Sequence, residues 1–148
     1  MGPTVEPFER VDFKRKVLEG EDLTAPFEHL VYDATENSFP SDVILAEAND
    51  IINENAKEAT YLWVIDNEGL RIIPENTPNE KSSRKVVCHT NLTGGKNALQ
   101  GGELWFGKDN HVYVNNKSGR YGCSTIKQRE AIIEYFKCVG YKNVIQLR

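Results

Sequence analysis

Between Cys88 and Tyr121 the chain concentrates side chains that move protons and hold anions: His89, Glu103, Ser118, Arg120 and Tyr121. An imidazole and a carboxylate serve as acid and base, a guanidinium neutralises phosphate oxygens, and a hydroxyl or phenol adds hydrogen bonds. These five are the candidate catalytic residues. Thr90, Asn91, Trp105, Tyr113 and Lys117 surround them in sequence and suit substrate binding, through hydrogen bonds, base stacking and phosphate pairing. Gly94, Gly95, Gly101 and Gly102 place four glycines in nine positions, which asks for backbone freedom or close approach rather than bulk. The spacing is neither a Walker loop nor G-x-G-x-x-G. None of the three cysteines, Cys88, Cys123 and Cys138, forms a C-x-x-C, so neither a metal site nor a disulfide framework is expected.

Each candidate has a plainer reading. A lone histidine on a strand is more often a surface residue than a catalyst, which applies to His89 and more strongly to His111; His29 reads as structural. A salt bridge to Arg120 would account for Glu103 as well as catalysis does. Trp105 and Tyr113 are strand aromatics that the N-terminal segment would cover. The sequons at Asn91 and Asn116 matter only in a glycosylating secretory pathway. Clustering is what favours function.

Positioning these residues requires a sheet. After Pro40, Ser41 and Asp42 open an apolar periodicity at Ile44, Ala48, Ile51 and Ile52 that predicts an amphipathic helix over 42–58, with Glu47, Asp50, Glu54 and Glu58 on its wet face. Tyr61 to Ile65 and Leu70 to Ile73, separated by Asp66-Asn67-Glu68-Gly69, predict a hairpin. Residues 75–83 predict a loop, and Lys85 to Leu92, Gly102 to Phe106 and His111 to Asn116 predict three further strands. Alternation puts Leu104, Phe106, Val112 and Val114 on the core face and Glu103, Trp105, His111, Tyr113 and Asn115 on the other. Matching those parities makes Lys108-Asp109-Asn110 the turn, with Asn110 left-handed and pairs Leu104/Val114 and Glu103/Asn115. In the preceding strand Val86, Cys88 and Leu92 take the core parity, which puts His89 and Asn91 on the same non-core face as Glu103 if the two strands are neighbours. Thr125 to Gln128 fits a capping box for a helix over 126–139 that stops at Gly140, with Cys138 buried on it and a last strand over 143–147. The fold class is therefore α+β: a single domain, mostly antiparallel, with an N-proximal and a C-terminal helix on one face. It divides into an irregular arm and loops over 1–39, with a short helical piece near 11–19, then a helix and hairpin over 40–83 and a site-bearing half over 84–148.

The length of 148 residues suits one domain, and no apolar run is long enough to span a bilayer. The first 12 residues carry charges and two prolines where a signal peptide needs an apolar stretch, which predicts a cytoplasmic protein or one delivered into a target-cell cytoplasm by other machinery. The net charge of −4 conceals a division: residues 1–83 hold seven Lys/Arg against 18 Asp/Glu, and residues 84–148 hold 11 against four, so the halves are −11 and +7. A basic half suits a phosphate-bearing ligand or an acidic partner; the alternative is that the halves neutralise each other on packing.

The string His89-Thr90-Asn91-Leu92, a glycine pair, Gly102-Glu103, then Asn116-x-Ser118-Gly119-Arg120-Tyr121 resembles a module of bacterial effector-like and toxin-like proteins, H-[ST]-[SN]-L, G-G, [AG]-G-E, N-x-S-G-[HR]-Y. The resemblance spans residues 89–121 and implies that His89, Glu103, Ser118, Arg120 and Tyr121 are pattern positions. It also implies a toxin-like setting, in which an inhibitory or immunity protein would be a partner. Arg120 stands where the module more often has His, which leaves open whether that position donates a proton or binds an anion. Imidazole, carboxylate, arginine and tyrosine on one sheet face suit metal-independent cleavage of RNA, because the 2′-hydroxyl supplies the nucleophile and the protein adds acid, base and cation. A small ribonuclease with Glu103 and His89 as acid/base pair and Arg120 as phosphate clamp is the first expectation. NAD-dependent ADP-ribosyl transfer or NAD cleavage is the second, with NAD as substrate. A non-catalytic module that binds a nucleotide or a protein is the third.

Overall fold

The computed structural model describes residues 30–31, 43–53, 55–122 and 125–147. The 1–39 arm with its helical piece near 11–19, Ser41, Asp42, His29 and Cys123 lie outside the described residues, except for the short strand β1 (Leu30–Val31).

The α+β expectation holds. The remaining elements are α1 (Ala48–Ile52), β2 (Tyr61–Asp66), β3 (Gly69–Pro74), α2 (Thr90–Thr93), β4 (Gln100–Phe106), β5 (His111–Val114), α3 (Ile126–Cys138) and β6 (Asn143–Gln146). They form one six-stranded sheet in the order β1-β3-β2-β4-β5-β6. All pairings are antiparallel except β5 with β6, which is parallel because α3 carries the chain back across the sheet.

The hairpins follow their turn chemistry. Asp66 Oδ1 accepts the backbone N–H groups of Glu68 and Gly69, closing the β2–β3 turn at 2.8 and 3.1 Å. Between β4 and β5 the loop is Lys108-Asp109-Asn110, and both Asp109 and Asn110 take positive φ, 57° and 60°. Leu104 pairs with Val114 as the parities require.

One sheet face is the main core. Tyr61, Trp63, Ile65, Leu70, Ile72, Leu104, Phe106, Val112 and Val114 are buried against Ile132, Tyr135 and Phe136 of α3. The Trp63 and Phe136 rings meet edge to face at 5.3 Å. Thr125 caps α3 by accepting the Gln128 N–H at 3.1 Å, and Gly140 beyond its end takes φ 111°. Cys138 departs from expectation: it is an exposed free thiol, because it falls across the helix from the Ile132 and Phe136 stripe.

The opposite face is covered too, so the helices are not confined to one side. Leu62, Val64 and Ile73 pack against Val87, Leu92, Ala98 and Tyr121. Two predicted elements are replaced here. The strand expected over 85–92 is instead a loop with a single bridge, Pro78 to Val86, followed by the one-turn α2. Lys85 enters with φ 62°, and Asn91 Oδ1 accepts the Cys88 N–H at 2.9 Å, a side-chain turn that outcompetes a ladder. Val86 and Cys88 are only partly buried, whereas Val87 is in the core, the reverse of the strand parity. The helix expected over 42–58 shrinks to α1 and a 3-10 turn at Lys57–Ala59. Ile51 is buried but Ile44 and Ile52 are exposed, and the Ala46 N–H bonds the Phe106 carbonyl at 2.8 Å instead of a helical partner.

Candidate active site

Glu103 is a mid-strand residue of β4, and its neighbours are set by register. Leu62 stands between Ile73 and Glu103 across β3, β2 and β4, so Glu75, two residues beyond Ile73, emerges on the same face as Glu103. The Glu75 N–H continues the ladder to the Thr60 carbonyl at 3.0 Å. The Glu103 carboxyl is near enough to act on the Glu75 pKa. They line a cleft of about 430 Å³, together with Lys57, Arg84 and Lys117, with Asn76 and Thr60, and with the apolar Ile51, Ala56, Val86 and Trp105.

Burial, first, and then the neighbouring Glu103 carboxyl raise the Glu75 pKa to about 7, against an opposing pull from Arg84 and Lys57. A carboxyl that is half protonated near neutrality can give or take a proton under ordinary conditions. Glu103 is held more firmly. Asn115 Nδ2 donates to Glu103 Oε1 at 3.1 Å, while Asn115 Oδ1 accepts the backbone N–H groups of Glu103 at 2.9 Å and Lys117 at 3.0 Å. The expected Glu103/Asn115 pair is thus present as a three-bond clamp, completed by the Asn115 N–H to the Glu103 carbonyl at 3.0 Å. The clamp depends on Gly102, where a Cβ would run into the Asn115 carbonyl.

His89 lies on the same sheet face as Glu103 but does not line the cleft. Its Nε2 contacts the Gly102 carbonyl at 2.8 Å, and since a carbonyl only accepts, Nε2 carries the proton. Burial is the main influence on its pKa and lowers it; the Gly102 and Glu103 oxygens pull the other way. His89 is thereby a neutral brace between α2 and β4, next to Glu103.

The other sequence candidates divide by burial. Lys117 and Trp105 reach the cleft, although the Trp105 Nε1–H is already donated to Thr60 Oγ1 at 2.8 Å. Ala46, Ile51 and Ala59 cover its ring, so within the described residues segment 46–59 does the covering assigned to the N-terminal arm. Tyr113 packs beside it, partly buried. Tyr121 is fully buried, with its hydroxyl donating to the Lys96 carbonyl at 2.8 Å and paired with Thr93 Oγ1 at 2.9 Å, which makes it a core residue that ties the glycine loop to the second sheet face. Ser118 Oγ accepts the Tyr121 N–H at 3.0 Å and so shapes the turn. Arg120 is 8% exposed and outside the cleft, where it cannot clamp a phosphate bound between the two glutamates. Asn91 and Thr90 are buried around Cys88, where Thr90 Oγ1 meets the Cys88 sulfur at 2.9 Å.

Glu75, Lys57 and Arg84 are therefore cleft residues that the sequence did not single out as a group. For Glu75 a signal existed: it is a charged residue directly after Pro74, at the end of an apolar strand and at the parity of Ile73. The cleft also joins both charge halves, so a ligand there meets Lys57 and Glu75 as well as residues after Ser83.

Fold and cleft together define an α+β domain in which two neighbouring carboxyls and three cationic side chains line one cleft. Comparison with protein-family models, curated proteins and solved structures finds no match for this chain. Among the described residues no three His, Cys, Asp or Glu side chains converge as a metal site would require, and no helix is long and apolar enough to cross a membrane.

Proposed function

We propose that this chain is a small acid–base enzyme acting on a phosphate-bearing substrate, with RNA the favoured one. The observation that carries the reading is the Glu75–Glu103 pair within a cleft lined by Lys57, Arg84 and Lys117. A carboxyl whose pKa is pushed up to about 7, beside a second carboxyl, supplies an acid and a base side by side, and three cations offset the charge of a phosphodiester and of its transition state. RNA needs nothing more from the protein, because its 2′-hydroxyl is the nucleophile. The resemblance of residues 89–121 to toxin-like modules supports a setting in which the enzyme acts in a cytoplasm and is restrained by an inhibitory partner.

The test is incubation of the protein with total RNA in EDTA and, separately, with NAD. RNA fragments are the expected result, with kcat falling roughly a hundredfold in Glu103→Gln. Intact RNA alongside NAD consumption would transfer the reading to ADP-ribosyl or NAD-cleaving chemistry. Tight nucleotide binding without turnover of either would make the chain a binding module.

A further inference from the structure

The two carboxyls of the cleft are not equivalent. Where two carboxyls share a cleft, a hydrogen-bond donor held against one of them favours its anion over that of its neighbour. Glu103 is the one with such a donor. Its Oε1 accepts from Asn115 Nδ2 at 3.1 Å, and Asn115 is itself fixed by two backbone N–H donors and is 3% exposed. Glu75 follows Pro74 at the end of β3, where burial and the neighbouring Glu103 carboxyl raise its pKa.

Resting on the functional reading above, we propose that Glu103 is the general base and Glu75 the general acid of the cleft, and that the substrate is a ribonucleotide 3′,5′-phosphodiester cleaved by its own 2′-hydroxyl. The Glu103 carboxylate removes the 2′-hydroxyl proton as the 2′-oxygen bonds to phosphorus. The bond from phosphorus to the 5′-oxygen breaks, its electron pair stays on that oxygen, and the Glu75 proton neutralises it. The products are a 2′,3′-cyclic phosphate end and a 5′-hydroxyl end. Glu103 is then protonated and Glu75 ionised, and the proton returns to Glu75 across the cleft once the products leave. No water is consumed and no co-reactant is needed. Burial keeps Glu75 protonated up to about neutrality, against the pull of Arg84 and Lys57; Lys117 lines the same cleft, and His89 beside Glu103 stays neutral.

The assignment is tested with the full chain and two substrates: a ribodinucleotide, whose alkoxide leaving group needs a proton, and a ribonucleoside 3′-(4-nitrophenyl phosphate), whose leaving group does not. Glu75→Gln is expected to lower kcat roughly a hundredfold on the dinucleotide and less than about tenfold on the nitrophenyl ester, whereas Glu103→Gln loses roughly a hundredfold on both. An alkaline fall of kcat/KM is also expected with the dinucleotide and not with the ester. Equal losses of Glu75→Gln on both substrates, or rescue of Glu103→Gln by the ester, would overturn the assignment while leaving the enzyme reading standing. A wild-type chain that turns over neither substrate overturns both. Thermal melts confirm that each variant is folded, and Glu75→Asp, with the same carboxyl set back by one methylene, gives the same comparison if Glu75→Gln is not.

Discussion

At the scale of single residues, Glu75 and His89 titrate in opposite senses, and both should be visible in stability. The Glu75 pKa is higher in the fold, about 7 against an ordinary 4.5, so its contribution is fully present below pH 4.5 and is lost as pH rises through 7. Replacing it with a neutral isostere removes that loss. Glu75→Gln should therefore melt at a higher temperature than wild type at pH 8 and at the same temperature at pH 4, measured by circular dichroism. An acidic group retained against stability in this way is typical of one kept for chemistry. His89 is lowered by burial, so its contribution is present above the unfolded imidazole value of about 6.5 and is lost as pH falls below it. In a Glu75→Gln background, which removes the opposing titration, melts at pH 7.5 and 5 should diverge, and adding His89→Asn should make them converge; an unchanged divergence would show that His89 does not cause it.

At the scale of elements, the β4–β5 hairpin is the scaffold of the site, and its tightest point is Gly102. Gly102→Ala forces the strands apart where Asn115 clamps Glu103. Chemical denaturation should show a loss of about 1–3 kcal/mol, with turnover falling further than that loss of folded protein explains. Helix α3 is a contrasting case. Thr125→Ala removes its N-cap bond and should cost about 1 kcal/mol, yet leave turnover of the folded fraction intact, because α3 packs on the other sheet face. The same contrast governs legibility. The β4–β5 turn and the α3 cap are local chemistry, and local chemistry was enough to predict them. Residues 85–92 alternate like a strand, but Asn91 and Lys85 close turns that periodicity does not register.

For the whole molecule, the charge asymmetry and the cleft lead to one measurable property. Lys57, Arg84 and Lys117 come from three separate stretches of chain, and in the fold they surround the carboxyl pair. Binding of single-stranded RNA should weaken with salt, with Arg84→Ala and Lys117→Ala each lowering the slope of log K against log salt by about 0.7. Lys137→Ala, exposed on α3 away from the cleft, should leave that slope unchanged. Arg120→Ala should instead show up as lost stability, since the side chain is buried. Binding that ignores salt would reduce the basic half to a surface that balances the acidic one.

Sequence alone determined what neighbours along the chain can decide. Strand alternation separated Leu104 and Phe106 from Glu103 and Trp105, turn residues set the hairpins, and the Thr125 and Gly140 signals bounded the last helix. It also pointed to Glu103. Tertiary structure alone decided which side chains meet it. Two antiparallel registers carry Glu75 to Glu103 across β2, a relation between residues 28 positions apart that no local pattern encodes. The same packing withdraws Tyr121, Arg120 and Asn91 into the interior. Residue type shows which chemistry a side chain can perform, and only the fold determines whether a substrate can reach it.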